Sequence, residues 1–417
     1  MLVSLVVPWI FSMGSVTLPT YRLVLAVLTI PAIAWWLSGK AGRVRLADVL
    51  VIAFCAWCIL SFVVVQGAAA TIQPAGMLIV ETCGAYFLAR TCVRSAGDFY
   101  RVAKLLFWIV MFLMPFALAE TVSGHNFLLE LSRMILPGQE DHGMPPRAGL
   151  WRVQGPFDHP ILFGVFCGAS IGVVYLVFAR KRALPIRIAM AGMMMLTASL
   201  SLSSGPITAV VAQMLLLGWN WLLRANPLRW RILWILLALA YLAIDLASNQ
   251  SVMEFFISHF AFDKQTAYFR LIIWHYGTGS VAAYPWFGVG FGEWLRPDWM
   301  PYSIDMFWLL WAIRNGLPAA ILMFCAFLAA TLRVAFTRGL DDLHQLYRTA
   351  YLISMTGLFL VGWTVHFWNA TYVLFMFLLG SGMWLIDAGE AERKLGATQE
   401  DRAERQAWRP RPTRAGV

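Results

Sequence analysis

Apolar residues gather along this chain in blocks close to the length a helix needs to cross about 30 Å of hydrocarbon, roughly 20 residues. Short polar connections separate the blocks. The pattern predicts twelve spans, with approximate limits 2–14, 20–38, 47–66, 73–91, 101–122, 160–179, 187–203, 205–223, 231–247, 305–332, 349–366 and 370–387. The first and seventh are short. None shows the apolar/polar alternation of a transmembrane β-strand, which argues against a β-barrel. The predicted fold class is therefore an all-α polytopic membrane protein with about twelve transmembrane helices. Residues 1–387 form its membrane domain. Residues 388–417 form a basic tail, read as solvated and partly disordered because it is charged and poor in apolar residues.

Composition agrees with this reading. Charged residues make up 13% of the chain, against about 25% in a soluble domain, and mean hydropathy is +0.68. The formal charge of +10 would suggest a nucleic-acid partner in a soluble protein. Here it orients helices, and no nucleic acid is expected. Lys40, Arg43 and Arg45 fill one connection, and Arg90, Arg94, Arg101 and Lys104 the next. Arg180, Lys181, Arg182 and Arg187 follow, then Arg224, Arg229 and Arg231, then Arg338 and Arg348. With twelve spans all of these fall on one side, which the positive-inside rule makes cytoplasmic, together with both termini. The Cys residues are scattered, and Cys55 with Cys58 has no second pair to complete a metal site, so no metal is expected. The N-terminus lacks a basic n-region and a clear cleavage site, so residues 2–14 read as a membrane segment.

Two long connections, about 123–159 and 248–304, fall on the opposite side. Connections of that length without low complexity usually carry function. The first ends in LWRVQGPFDHPILFG, which sets Arg152, Asp158 and His159 at the mouth of an apolar block. Pro160 at a first helical position, with a cap just before it, accounts for part of this. His159 among polar partners also suits acid–base work. The second connection carries Arg270, Trp274 and His275 at near-helical spacing, then alternating glycines in WFGVGFGEW. No strand precedes those glycines, which argues against a dinucleotide site. Alternating Gly instead lets backbone approach a ligand or another helix. Trp274, Trp286, Trp294 and Trp299 suit either an interfacial belt or platforms for sugar rings. Asp305 opens the next block, and a Ser-Ser-Gly-Pro turn containing Ser204 joins two others. Glu81 lies inside an apolar block and requires a partner. Arg147, Arg152, Arg270 and Arg296 all run against the charge rule, and apart from Lys264 the cations on this side are arginines. The planar guanidinium suits bidentate contact with phosphate. Together these residues predict an outward-facing site for an anionic, partly apolar, hydroxylated substrate.

In their order along the chain, these motifs resemble the O-antigen ligase/polymerase superfamily of bacterial membrane glycosyltransferases. Four patterns between about Thr20 and Asp387 carry the resemblance: R-x-x-G-x-F-x-H-P from Arg152 to Pro160, the SLSSG turn, R-x-x-x-W at Arg270 followed by P-W-F-G-V-G-F-G, and Asp305 through Gly316. The resemblance implies the C-type glycosyltransferase architecture in the bacterial inner membrane. It also implies metal- and cofactor-independent transfer of a glycan from undecaprenyl diphosphate on the periplasmic face. Arg152 and Arg270 would hold the diphosphate, and Arg147, Trp274, His275 and Ser204 would join them in binding diphosphate and glycan. Asp305 or His159 would act as catalytic base. Partners would be the undecaprenyl-diphosphate-linked oligosaccharide and the bilayer, with a chain-length regulator and a flippase as further candidates.

In the ligases an H-N-x-x-L pattern opens the span after the large loop. Here Asp305, Met306 and Leu309 stand at the His, Asn and Leu, and Ser204 stands where many members carry Arg. Both departures favour a repeat-unit polymerase of exopolysaccharide or capsule over a ligase that delivers glycan to lipid A-core. A transporter or flippase of the same lipid would place charges near the midplane on broken helices, often in inverted repeats. No such repeat is evident, and the charges cluster outside the spans. The same clustering argues against a purely structural subunit.

Overall fold

The computed structural model describes residues 1–13, 16–247, 255 and 264–407. Its helices are α1 (Thr20–Leu37), α2 (Leu46–Gln66), α3 (Ala68–Cys92), α4 (Ala96–Ser123), α5 (Phe127–Arg133), α6 (Pro160–Phe178), α7 (Leu184–Ser199) and α8 (Ser204–Leu222). They continue with α9 (Arg229–Ala247), α10 (Lys264–Ala283), α11 (Phe307–Asn315), α12 (Leu317–Ala335), α13 (Asp342–Val361), α14 (Asn369–Ser381) and α15 (Trp384–Ala407). Among the described residues, nine helical segments are long and apolar enough to cross a membrane: α1–α4, α6, α8, α9, α12, and α14 running on into α15. The chain is thus an all-α, multi-pass membrane protein. α7 is apolar but shorter, and α13 begins with polar turns; both pack within the bundle. α9 buries no side chain against its neighbours, as expected of a helix solvated by lipid.

The first predicted span is corrected. Val3–Val6 form one tight turn, and Ile10–Met13 pair antiparallel with Val16–Pro19. Pro8 lacks an N–H and steers Val7 away from the helical region. A helix over 2–14 would also reach only about 20 Å. This N-terminal segment is tied to the first long loop. Gln139 N donates to the Pro8 carbonyl at 2.8 Å, Ile10 N to that of Pro137 at 2.9 Å, and Trp9 Nε1 to that of Ser132 at 3.2 Å. At the other end of the bundle, Arg45 before α2 pairs with Asp387 and Glu390 in α15. The N-terminal segment and α15 therefore lie at opposite ends of the bundle. The N-terminus sits with the long loops, and α15 with the basic connections.

Three further boundaries differ from expectation. Residues 264–283 of the second long connection are helix α10, while 248–254 and 256–263 lie outside the described residues. The tail continues as helix to Ala407, because its Ala, Glu, Arg, Lys and Gln are strong helix formers; 408–417 lie outside the described residues. The predicted span 305–332 is split into α11 and α12 at Gly316, whose φ of +83° only glycine adopts easily.

The alternating glycines explain how this split is tolerated. Val289 N donates to the Ile313 carbonyl at 2.9 Å and Gly290 N to that of Arg314 at 2.8 Å, which satisfies carbonyls left open where α11 ends. Gly288 and Gly290 both hold positive φ. A Cβ on Gly316 would overlap the Trp286 carbonyl oxygen. Gly316→Ala is therefore expected to lose about 2–4 kcal/mol, from strain and from separating α11 from the glycine segment. The check is the melting temperature of purified protein in detergent; an unchanged value would reject this account of the junction.

Two charged networks sit within the bundle. At the basic end, Asp48 (0% exposed) accepts from Arg90 Nε at 3.1 Å, Tyr86 OH at 2.7 Å and Trp36 Nε1 at 3.1 Å. Removing one partner of such a buried pair typically costs about 3–5 kcal/mol. Asp48→Ala should lower the melting temperature sharply, and Asp48→Leu combined with Arg90→Met should recover part of the loss. At the far end, Glu81 lies on a wide π-type turn of α3 and accepts from Arg22 Nε at 2.7 Å and Tyr21 OH at 3.0 Å. These are the partners its burial demands.

Candidate functional site

The segment from Trp151 to His159 crosses the far end of the bundle as an extended strap. One edge is fixed to α4: Trp151 N donates to the Thr121 carbonyl at 3.0 Å, and the Glu120 carboxylate accepts from Gln154 N at 2.6 Å and Gly155 N. The other edge is fixed to the α7–α8 turn, where Val153 N donates to the Leu200 carbonyl at 3.1 Å. Pinned on both sides, the strap holds Arg152 over the serine turn. Arg152 Nη2 donates to Ser203 Oγ at 2.8 Å and its Nε to the Ser201 carbonyl at 3.4 Å. Arg147 Nη1 donates to the Leu202 carbonyl at 3.0 Å. Two non-glycine residues here, Ala148 and Leu202, hold φ of +53° and +45°. Backbone strain of this kind tends to collect where a constellation must be held in place.

α10 and the segment after it close the opposite wall. Ile272, Ile273, Val281, Trp294, Met300, Ile304 and Met306 form a second apolar cluster with α11, separate from the main core. This cluster seats α10 so that Arg270, 5% exposed, reaches Ser204 with Nη1 donating to Oγ at 3.2 Å. It also carries Asp305 into the same space. The resulting cleft, about 270 Å³, is lined by Arg147, Arg152, His159, Ser203, Ser204, Arg270 and Asp305, with Ile161, Phe269, Ile273, Met300, Pro301 and Ser303 around them. Six predicted site residues from four separate stretches of sequence meet there.

Charge in the cleft is unbalanced, since three guanidinium groups face one carboxylate. Burial, then repulsion from Arg147, lowers the Arg152 pKa to about 10, which leaves it cationic at neutral pH. His159 adds no charge there: burial first, then Arg152 and His142, push it down to about 4. Its Nδ1 accepts from Ile161 N at 3.1 Å and caps α6. The neutral ring therefore carries its proton on Nε2 and can only donate into the cleft. Asp305 is the one carboxylate among the lining groups, and so the one suited to accept a proton. Burial raises its pKa, while Arg270 and a hydrogen bond from Ser303 work against that rise.

No family model matches this chain, and no curated protein matches it significantly.

Two predicted binding residues fall elsewhere. Trp274 packs edge-on against Trp363, with ring centroids 6.3 Å apart. His275 is exposed beside Tyr276. Helical geometry turns His275, five positions after Arg270, about 140° away around α10, whereas Trp274 shares the face of Arg270 but lies one turn further along, where it meets Trp363. Arg296 also lies outside, over the Tyr302 ring and bonded to the Met300 carbonyl and Glu293. Trp294 is buried and donates Nε1 to the Tyr302 carbonyl, whereas Trp286 and Trp299 are exposed. Asp158 faces away from the cleft, accepting from Gln139 Nε2 at 2.6 Å and Asn369 Nδ2 at 2.8 Å. Ser203 and the Glu120 clamp were not singled out from sequence. The SLSSG motif pointed to the first, and an acid near a helix end to the second.

Proposed function

We propose that this chain is an inner-membrane glycosyltransferase that joins undecaprenyl-diphosphate-linked oligosaccharide units on the periplasmic face, as a repeat-unit polymerase. The observation carrying the proposal is the net-positive cleft of Arg147, Arg152 and Arg270 around one carboxylate, at the end of the bundle away from the basic connections. A diphosphate diester carries one negative charge on each phosphate, and guanidinium forks suit both. Counting α7 and α13 with the nine long segments gives eleven crossings in place of twelve. The positive-inside rule then sets the C-terminal part of α15 in the cytoplasm and the N-terminal hairpin, with the cleft, in the periplasm. On this reading the helical frame is of the C type.

The residues divide the reaction between them. Asp305 accepts the proton of the acceptor hydroxyl. The oxygen attacks the anomeric carbon, the bond from that carbon to the diphosphate oxygen breaks, and its electron pair goes to the departing diphosphate. Arg147, Arg152 and Arg270 stabilise the charge that develops there. The anomeric centre inverts. His159 donates Nε2–H to a phosphate or sugar oxygen without changing its own protonation state.

The test is the size distribution of lipid-linked glycans in a deletion strain. Exported but unjoined single units support a polymerase. Full-length glycan left on its lipid carrier supports the ligase reading instead, and single units trapped on the inner leaflet support a flippase.

A further inference from the structure

A second cavity, about 470 Å³, opens at the basic end of the bundle, where α12 finishes beside α15. It is lined by Arg333, Phe336, Thr337, Arg338, Ile386 and Arg393. The reaction proposed above uses none of these residues, and the cavity lies at the opposite end from the cleft. Arg333 stands in the last turn of α12 with its side chain 59% exposed. Phe336, at the end of the same helix, is 76% exposed, and Leu332 beside it is 45% exposed. A large apolar ring left open next to arginines at a helix end matches the boundary between acyl chains and headgroups, where Arg reaches from apolar surroundings to polar atoms.

Nearby acids offset the three cavity arginines only in part, because Glu390 and Asp387 share Arg45. Glu390 is 3.7 Å from Arg333 but accepts from Arg45 at 2.7 and 3.0 Å through its two oxygens. Asp387 pairs with the same Arg45. Glu392 faces His344 at 3.0 Å and Asp341 N at 3.1 Å. Arg393 donates its Nε to the Gly389 carbonyl at 3.3 Å, so that bond leaves both terminal nitrogens uncommitted. Thr337 adds a hydroxyl to the rim.

We propose that this cavity binds the glycerophosphate headgroup of an anionic phospholipid, with Arg333, Arg338 and Arg393 on the phosphate and Phe336 against the first acyl carbons. Basic pockets between helix ends on the cytoplasmic side are suited to such headgroups. The same phosphate chemistry is offered by a soluble glycerol phosphate, which lacks the chains that Phe336 and Leu332 would meet.

Native mass spectrometry of the detergent-purified full chain tests this, with phosphatidylglycerol, phosphatidylcholine or glycerol 3-phosphate added. The wild type should retain phosphatidylglycerol at least about tenfold better than phosphatidylcholine, corresponding to about 1.4 kcal/mol. Arg338→Gln combined with Arg393→Gln should bring retention down to the phosphatidylcholine level. Arg101→Gln, at the same end but outside the cavity, should not change it. Glycerol 3-phosphate displacing the lipid at equal concentration would assign the site to a soluble phosphate and overturn the lipid. Undiminished phosphatidylglycerol retention by the double variant would overturn the site itself. A melting curve in phosphatidylcholine micelles shows whether the double variant is folded; if it is not, Arg338→Lys provides the comparison, and its expected result is partial retention.

Discussion

Arg270→Ala should reduce chain extension by about 10²–10³-fold, leaving single lipid-linked units in cells that make the protein at the normal level. That factor is typical for removing one preorganised donor from developing negative charge. Arg270 is the best placed of the three cleft arginines to have this effect. It is 5% exposed, it is held by Ser204, and it shares the cleft with Asp305, whose ionisation it favours. Its loss therefore removes a contact to the leaving group and also makes the base harder to ionise. Arg270→Lys keeps the charge but not the planar fork, so it should recover only part of the rate. Arg101→Ala, 80% exposed at the basic end, should behave as wild type. The readout is a ladder of lipid-linked glycan lengths, with the melting temperature in detergent as a control for folding. A full ladder from Arg270→Ala would remove the diphosphate from the interpretation of the cleft, and with it the proposed chemistry.

How far the sequence carries depends on how local each interaction is. Block length located the nine long apolar helices after residue 20 approximately, apart from 305–332, which breaks at Gly316, because crossing a membrane imposes a length on each segment separately. The same criterion failed at residues 2–14, where apolar composition alone does not distinguish a helix from a hairpin held by the Pro137–Gln139 backbone. Four stretches far apart in sequence supplied Arg147, Arg152, His159, Ser204, Arg270 and Asp305; positive charge on the unexpected side grouped the three arginines, and position at the outer ends of apolar blocks added His159, Ser204 and Asp305. Trp274 and His275 were grouped with them by proximity along the chain, but which face of α10 meets the cleft is decided by packing against Ile304, Met306 and α11. The partners of Glu81 and Asp158 were invisible for the same reason: Arg22 and Asn369 approach only when α1, α3 and α14 are side by side.

Asp305→Asn separates the two candidate bases. The substitution keeps size and an acceptor for Ser303 but removes the group that takes the proton, and general-base catalysis contributes about 10²–10⁴-fold. A loss in that range is expected, with the protein still folded. His159→Asn should cost far less, because Asn is a strong N-cap and preserves the start of α6, and because His159 Nδ1 is already occupied by Ile161 N. A pH profile of the wild type alone does not distinguish them, since either group as base would give a rate that falls as pH drops through its pKa, about 4 for His159 and above the ordinary carboxylate value for Asp305. Comparison of variants does. A required base works when deprotonated, so the rate is full above its pKa and falls as pH drops through it. Burial raises the Asp305 pKa, which places this acid limb above the usual carboxylate range. Arg270 opposes the rise, so Arg270→Gln should move the limb of its residual activity to still higher pH, and Arg270→Lys should leave it nearly in place. Had His159 been the base, losing Arg270 would leave the limb unmoved: the charges that depress His159 are Arg152 and His142. Chain extension by membranes of these variants, measured across the acid range with purified lipid-linked units, decides between them. An Asp305→Asn protein that extends chains at the wild-type rate would leave the carboxylate with a role in folding and no place in the chemistry.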